Sequence, residues 1–407
     1  MNAHKTPKLI GLALFVLTAA VVAYYPSLTN PAPAPGPAGG LVPALPTAQS
    51  GQQPVVEAVF VLDTTGSMGG LIQAAKDKIW SIASTLAAAQ PAPIVRMGLV
   101  AYRDRGDDYV TRVVDLSSDL DSLHTQIFQL QAQGGGDGPE SVNQALSDAV
   151  QRIGWSRDPA TYRVVFLVGD APPHMDYQDD VPYTKTLNEA RRLGIRVNAI
   201  QCGQEPETAS EWRRIAQIGN GGYFRVDQGG GAVAISTPYD APLAKLSEEL
   251  DRTRIYYGKA DERAKREVRD DKARAAQAAA APAVLARKAE FEASESAKAA
   301  RKGDQDLVDA VESGSVDLEK LPAAELPAPL AKLEPEKRAE AVKETAEQRE
   351  SLRQRIQYLS TQRETYLKEQ VEAAGGAKDS LDHQIWSTVR KQGSEAGLSY
   401  GDSGPRY

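Results

Sequence analysis

Three continuous apolar runs lie in the first half of the chain: VVEAVFVLD at residues 55–63, IVRMGLVAY at 94–102 and YRVVFLVGD at 162–170. Each run is uninterrupted rather than alternating, which is typical of strands that are covered on both faces of a sheet. The segments between them carry apolar residues at helical spacing and predict three helices, at residues 71–89, 120–130 and 139–153. Pro139 would open the last of these helices.

Shorter apolar segments continue this alternation later in the chain. Residues 195–200 and 221–226 predict two more strands, residues 209–218 a helix between them, and residues 243–256 a closing helix. Regular alternation of strands and helices predicts an α/β fold with a doubly wound, mainly parallel sheet, Rossmann-like in its layout. Residues 110–116 are the exception, because the short polar loop before them favours an antiparallel strand at the sheet edge.

The second half of the chain changes composition. Residues 259–395 are rich in Ala, Glu, Lys and Arg and predict a helical C-terminal extension. Pro335 opens its longest helical pattern, which runs to the glycine pair at residues 375–376. The apolar stripe on this helix is shorter than three or four heptads, so packing on its neighbours or on a partner is preferred to a coiled coil. Residues 396–407 are expected to form a disordered tail.

The N-terminus has the pattern of an export segment. Lys5 and Lys8 precede an apolar stretch, so residues 1–25 fit a signal peptide or an uncleaved membrane anchor. Both alternatives predict an extracytoplasmic location, periplasmic or at the cell surface, and an uncleaved segment would hold the chain at the inner membrane. Residues 26–53 are rich in Pro, Ala and Gly and predict a linker to a folded domain at residues 54–258.

Charge and cysteine content narrow the classes of function. The formal net charge of −7 provides no basic surface for a phosphate backbone, so nucleic acid is not an expected partner. Cys202 is the single cysteine of the sequence and lies in an apolar run, which favours a buried structural thiol over a nucleophile. The four histidines do not have the spacing of zinc ligands, which argues against a zinc site.

The first apolar run ends in the segment VFVLDTTGSMGG, which places Asp63, Thr65 and Ser67 at alternate positions directly after a buried strand. Oxygen side chains at this spacing can converge on one point and suit Mg²⁺, which prefers hard ligands in octahedral geometry. The segment lacks the lysine of a P-loop, the second acid of an aspartyl phosphatase and the spacing of a serine hydrolase elbow. Capping of the following helix by Thr65 and Ser67 is the structural alternative.

Acidic residues in two other loops add to this group. Asp170 follows the strand at residues 162–169, while Asp137 and Glu140 lie in the loop GGGDGPES before a predicted helix. Each acid alone also fits a turn or a favourable position at a helix N-terminus. Ligands of such sheets bind where the strands have their carboxyl ends. Five oxygen ligands from three loops at one sheet edge are hard to explain as caps, so we predict one cation site built from Asp63, Thr65, Ser67 and Asp170, with Asp137 and Glu140 as the candidates from the third loop.

This domain resembles a von Willebrand factor type A domain. Asp63, Thr65 and Ser67 match the metal-ion-dependent adhesion site of that family, and Asp170 matches its distal aspartate. The loop GGGDGPES lacks the threonine of the common form, and its DGPE resembles integrin β subunits, so the resemblance assigns the ligand role to Glu140. It implies a site for Mg²⁺ or Mn²⁺ with one coordination position open to a carboxylate of a protein partner.

The same resemblance implies a second divalent cation, such as Ca²⁺. Four residues match the positions that hold it in integrin β subunits: Asp104, Asp137, Pro139 and Glu140. Gly135 stands where that family has an asparagine ligand, and no third cation is expected because Gly70 and Leu71 replace its acids. Charge counting favours a second ion, since three carboxylates over-neutralise one Mg²⁺ and a cation beside Glu140 would offset them.

These features predict an extracytoplasmic protein-binding module for adhesion or scaffolding, which captures an Asp or Glu side chain of a protein partner through its cation. We expect neither a reaction nor a small-molecule substrate. One alternative that the resemblance also implies is a regulatory subunit of an ATPase, chelatase-like or transport assembly. The other is a metal-dependent hydrolase that uses the same carboxylates, although the sequence offers it no evident base or nucleophile.

Overall fold

The structure is a computed structural model that describes residues 53–136, 138–226, 235–373 and 381–401. Its centre is a six-stranded sheet. The strands are β1 (Val55–Asp63), β2 (Ile94–Tyr102), β3 (Thr111–Ser117), β4 (Tyr162–Gly169), β5 (Ile195–Cys202) and β6 (Tyr223–Val226). The three long apolar runs are β1, β2 and β4, and all residues of β4 are buried.

The strand order is β3-β2-β1-β4-β5-β6. β3 pairs antiparallel with β2 at one edge, and the other neighbouring strands are parallel, which confirms the predicted fold class. From β1 the chain builds outward through β2 and β3, then returns to the other side of β1 to form β4. The order therefore reverses between β1 and β4, and ligands of such sheets bind at the carboxyl ends of the strands at this point.

Helices cover both faces of the sheet. α1 (Gly69–Ala87) and α2 (Leu120–Phe128) pack on the face that carries Phe60 and Leu62 of β1. α3 (Val142–Gln151), α4 (Tyr183–Arg192) and α5 (Pro206–Ile218) pack on the face that carries Val59 and Val61. Alternate residues of β1 thus enter opposite cores, and each fully buried apolar side chain contributes roughly 1.5–3 kcal/mol.

The third helix begins later than predicted. We expected it to open at Pro139, but α3 begins at Val142. Residues before it are extended, because the Glu140 amide donates a hydrogen bond to the Pro172 carbonyl at 2.9 Å and the Glu140 carbonyl accepts one from the His174 amide at 3.0 Å. This bridge to the loop after β4 replaces the first helical turn.

Helices also form the C-terminal extension, as predicted. α6 (Asp240–Asp251) corresponds to the predicted closing helix of the folded domain. The extension itself comprises α7 (Ala260–Gln277), α8 (Pro282–Glu292), α9 (Glu295–Gly303), α10 (Leu307–Glu312), α11 (Ala328–Ala331), α12 (Pro335–Ala373) and α13 (Leu381–Glu395). α8 packs on α1, where the rings of Trp80 and Phe291 lie 5.7 Å apart. α13 reaches the sheet, where the Tyr162 hydroxyl donates a hydrogen bond to Gln392 at 2.8 Å. The extension and the sheet therefore share a core.

The structure can be compared with the predicted segments at the two ends of the chain. The export segment and the linker through residue 52 lie outside the described residues, and in the described ranges no helix is long and apolar enough to cross a membrane. Residues 396–401, which we assigned to a disordered tail, are instead ordered: Leu398 and Tyr400 are buried, and Ser399 exchanges two backbone hydrogen bonds with Gln90. Their short sequence with two glycines does not indicate this pairing.

Candidate metal-binding site

Four of the predicted ligand residues lie side by side at the carboxyl ends of β1 and β4. Asp63 is fully buried, and its Oδ1 accepts hydrogen bonds from the Thr65 amide at 2.8 Å and the Thr65 hydroxyl at 2.7 Å. The Thr65 hydroxyl lies 3.3 Å from that of Ser67, which donates to Asp170 Oδ1 at 3.0 Å. A continuous chain of polar contacts therefore joins Asp63 to Asp170.

Glu140 reaches the same site from the loop before α3. It is 3% exposed, and the bridge to the loop after β4 fixes its backbone. A Cβ atom on Gly135 would lie 3.0 Å from Glu140 Oε1 and 3.2 Å from Thr65 Cβ. Gly135 therefore lies between these two side chains, with little room for a side chain of its own. Gly135 also has a φ of +74°, which favours glycine. This explains glycine at the position where the resemblance expected asparagine.

Two hydrogen bonds and one unpredicted carboxylate hold the loops together. The Gly66 amide donates to the Gly134 carbonyl at 3.0 Å, and the Gln133 amide donates to the Thr64 carbonyl at 3.1 Å. The Oδ2 atom of Asp107 accepts from the Gly135 amide at 3.0 Å and from the amide of Asp104, in its own loop, at 3.1 Å. Asp107 thus positions the Glu140 loop, a role that its place in the sequence RGDD does not indicate.

Tyr102 and Gly169 form the floor under the ligands. Tyr102 of β2 pairs with Asp63 of β1, and Gly169 ends the neighbouring β4. Among the described residues, the fully buried Tyr102 hydroxyl has no hydrogen-bond partner. A Cβ on Gly169 would clash with this hydroxyl and lie 3.0 Å from Asp63 Oδ2. The missing side chain of Gly169 therefore makes room for the phenol beside Asp63.

The carboxyl groups of Asp63, Glu140 and Asp170 form no ion pair with any residue that the structure describes. Burial, together with the nearby charge of Asp170, raises the pKa of Asp63 to about 7 although two hydrogen bonds from Thr65 oppose the shift. Burial and the charge of Asp63 raise the pKa of Glu140 to about 9, and burial raises that of Asp170. Asp63 Oδ2 and Glu140 Oε2 are buried without a hydrogen-bond partner in the described part of the chain.

Buried carboxylate oxygens that lack partners are costly, and a divalent cation would remove that cost. Carboxylate and hydroxyl oxygens are also the ligand types that Mg²⁺ and Mn²⁺ prefer. Asp63, Thr65, Ser67, Glu140 and Asp170 therefore fit a hard divalent cation in the chemistry of their side chains.

The residues predicted for a second cation are arranged differently. Asp104 accepts a hydrogen bond from the Ser141 hydroxyl at 2.8 Å and from the Tyr177 hydroxyl at 3.0 Å, and it lies 3.4 Å from His174 Nε2. Asp137 lies outside the described residues, while Pro139 directly precedes Glu140 in the bridged segment. The set of Asp104, Asp137, Pro139 and Glu140 stays a prediction.

A second group of acids lies away from this edge, between α2, α6 and α8. Oxygens of Asp121, Asp251 and Glu292 lie within 4.8 Å of one another. The buried Lys288 ammonium lies 2.8 Å from Asp251, and Arg254 lies 2.7 Å from Asp121. Two side-chain cations therefore already offset most of the charge of this trio, and we assign it a structural role.

Comparison with known proteins identifies a domain family over the sheet-forming part of the chain. Residues 57–233 match the family model described as von Willebrand factor A domain. This part of the chain is a von Willebrand factor A domain. Domains of this family are generally metal-dependent protein-interaction modules. The matched range of the von Willebrand factor A domain contains all five predicted ligands and ends before α6.

Relatives of this von Willebrand factor A domain occur in longer proteins. The chain is 37% identical over 157 residues to von Willebrand factor A domain-containing protein 7 of Mus musculus, covering 39% of this chain and 16% of that protein. It is 29% identical over 121 residues to the alpha-protein kinase vwkA of Dictyostelium discoideum, covering 29% and 19%. The chain thus spans less than a fifth of the length of these relatives.

Among solved structures, the chain is similar to proximal thread matrix protein 1 from the mussel byssus, in a form with a zinc-occupied MIDAS motif. The TM-score is 0.35 at 17% sequence identity, and the match covers 42% of each chain.

Proposed function

We propose that this protein is a metal-dependent protein-binding module of the adhesion or scaffold type. Asp63, Thr65, Ser67, Glu140 and Asp170 would hold one Mg²⁺ or Mn²⁺ ion at the edge of the sheet. When bound, the ion supplies a coordination position for an Asp or Glu side chain of a partner protein. The chain's own residues position the oxygens and exclude water from one side of the site.

One observation carries this proposal: two buried carboxylate oxygens, Asp63 Oδ2 and Glu140 Oε2, have no hydrogen-bond partner among the described residues. A site that only capped the next helix would not need them. A short 3-10 helix, Gly66–Met68, precedes α1, and neither Thr65 nor Ser67 caps either helix through its side chain, which argues against the capping alternative.

The proposal also includes the location and the absence of a reaction. The apolar segment at residues 9–25 supports an extracytoplasmic module, exported or held at the inner membrane. Binding rather than catalysis is proposed because the hydroxyls of Thr65 and Ser67 face carboxylates, with no histidine or lysine within the hydrogen bonds described for them. A nucleophile would need such a base beside it.

The variant Asp63→Asn tests the site, because its remaining oxygen can still accept the hydrogen bonds of Thr65 while its charge is lost. Titration with Mn²⁺ should show at least a tenfold loss of affinity. Wild-type protein should gain about 2.7 kcal/mol of stability at a Mn²⁺ concentration of 100 times Kd, and the variant should gain much less.

Unfolding without metal provides the control for that test. Asp63→Asn should be no less stable than wild type in chelator, since it removes a buried charge without a partner. The exposed Asp261→Asn on α7 should behave like wild type in both measurements. Equal Mn²⁺ affinity of wild type and Asp63→Asn, or no Mn²⁺ uptake by the wild type, would contradict the proposal.

A further inference from the structure

The net negative charge of the chain is concentrated in the loops around the site. Residues 63–70, 103–110, 131–141 and 170–182 together hold ten Asp and Glu residues but only two Arg and no Lys, a formal net charge of −8. The complete chain has a net charge of −7. The rest of the molecule is therefore almost neutral, and the field is concentrated at the end where the proposed cation lies.

Several of these carboxylates face solvent next to the site. The side chains of Asp108, Asp176 and Asp179 are 76%, 73% and 76% exposed, and we call these three residues the acidic rim. Asp176 lies 2.7 Å from the ring of His174, whose amide binds the Glu140 carbonyl. Asp108 follows Asp107 in the loop bonded to Gly135. The rim is therefore continuous with the proposed ligands.

Both arginines of these loops are already occupied. Arg105 binds Asp179 at 2.9 Å and Asp180 at 2.6 Å, and it stacks on Tyr177 at 4.1 Å. Arg103 donates to the Gln131 carbonyl at 2.9 Å and stacks on the ring of Tyr109. The four loops contain no other Lys or Arg that could bind an acidic side chain of a partner. One bound divalent ion would still leave these loops with a net charge of about −6.

The proposed ion and the exposed acidic rim favour opposite charges on a partner. The unpartnered Oδ2 of Asp63 and Oε2 of Glu140 point to a cation, and a cation with an open position takes one carboxylate. Every other contact around it would meet negative charge, and like-charge contacts at an interface cost several kcal/mol. A uniformly acidic partner would therefore be repelled before its carboxylate reached the ion.

We propose that the partner is a basic protein segment in which one Asp or Glu is flanked by Lys or Arg. Its carboxylate would bind the ion while the flanking cations face Asp108, Asp176 and Asp179. Met175 on the same loop is 56% exposed and provides an apolar surface for the stems of those long side chains. This inference rests on the proposed function, because it needs the cation to capture the single acid.

Four labelled synthetic peptides of about nine residues test this inference on the full chain. Three have a central Asp that is flanked by lysines, serines or glutamates, and the fourth replaces the Asp of the lysine peptide by Asn. Fluorescence anisotropy in Mn²⁺ should show the lysine–Asp peptide binding at least tenfold more tightly than the serine–Asp peptide at low salt. Since the Debye length shortens to about 8 Å at 0.15 M salt, this advantage should shrink as salt is added.

A rim variant identifies the residues responsible. Asp108→Asn, Asp176→Asn and Asp179→Asn combined should reduce the lysine advantage to less than threefold. A matched variant neutralises three exposed acids of the extension, with Asp271→Asn, Asp317→Asn and Glu347→Gln, and should keep the full advantage. Urea unfolding and Mn²⁺ titration of both variants verify that the fold and the ion site persist.

Each outcome separates the inference from the proposed function. Equal, Mn²⁺-dependent binding of the lysine and serine peptides would overturn the inference and leave the proposed function standing. Binding of the lysine–Asn peptide as tight as that of the lysine–Asp peptide would also overturn it, because the rim would then act without the ion. If no Asp peptide binds in an Mn²⁺-dependent way, the proposed function itself fails.

Discussion

The substitution Gly169→Ala tests the floor of the site directly. Gly169, Asp63 and Tyr102 lie in one row across β4, β1 and β2. The added methyl group would clash with the Tyr102 hydroxyl and lie 3.0 Å from both Cβ and Oδ2 of Asp63. Tyr102 is fully buried in the core that α3 and α4 cover, so its ring has no open space into which it can turn.

The expected cost follows from two opposing effects. Overpacking of a dense core typically costs about 1–3 kcal/mol, whereas replacing glycine by alanine recovers about 0.4–1 kcal/mol of backbone entropy. Gly169→Ala should therefore lower the free energy of unfolding by about 1–2 kcal/mol. Tyr102→Phe should be nearly neutral, because the hydroxyl it removes has no hydrogen-bond partner within the described ranges.

The double variant gives the decisive measurement. Urea unfolding in chelator should show that Tyr102→Phe restores most of the stability lost in Gly169→Ala, with a coupling energy of about 1 kcal/mol or more. Gly169→Ala should also weaken Mn²⁺ binding, because its methyl group lies against Asp63. The double variant should keep this weaker affinity, since the methyl group is still present. The reasoning is refuted if Gly169→Ala is as stable as wild type, or if Tyr102→Phe leaves its loss of stability unchanged.

Two further predictions concern charge. In chelator, Asp63 alone should lower the free energy of unfolding by up to about 4 kcal/mol as the pH rises from about 4 to 7, because the folded state holds its proton up to a pKa of about 7 and the unfolded state does not. Glu140, whose pKa burial raises to about 9, should add to this fall. Saturating Mg²⁺ should abolish this decline in urea titrations, and its persistence would contradict the site. Lys288→Met should cost about 3–5 kcal/mol, since it leaves Asp251 and Glu292 buried without their ammonium partner. The exposed Lys245→Met on α6 should change stability by less than about 0.5 kcal/mol, and equal effects of the two lysine variants would refute this role.

The apolar pattern was sufficient for the sheet but not for every helix. β1, β2 and β4 are recognisable because buried parallel strands carry apolar side chains on both faces. α4 was not predicted: its sequence YTKTLNEARR is mostly polar, and it is held by few buried side chains such as Tyr183 and Leu187. A helix with so narrow an apolar face depends on tertiary packing, which sequence spacing does not report.

The site shows the same limit. Asp63, Thr65 and Ser67 could be predicted from their spacing after a strand, and Asp170 from the end of a neighbouring strand. The contribution of Asp107 depends on the two loops that it joins, and the contribution of Gly169 depends on a tyrosine from another strand. Such contacts join residues far apart in sequence, so no local pattern indicates them.

The extension belongs to the same folding unit as the sheet. The core that contains Phe60 and Trp80 also contains Phe291 of α8 and Val389 of α13. Arg254, after α6, contacts Asp121 of α2 and Glu292 of α8 through buried charges. α1 begins directly after the loop that contains Ser67, and α8 of the extension packs on α1. The extension therefore restrains the helix that follows the ligand loop. The sheet edge with its acidic loops therefore belongs to the same compact unit as the extension, and ordering of the loops before binding would lower the entropic cost of binding a partner.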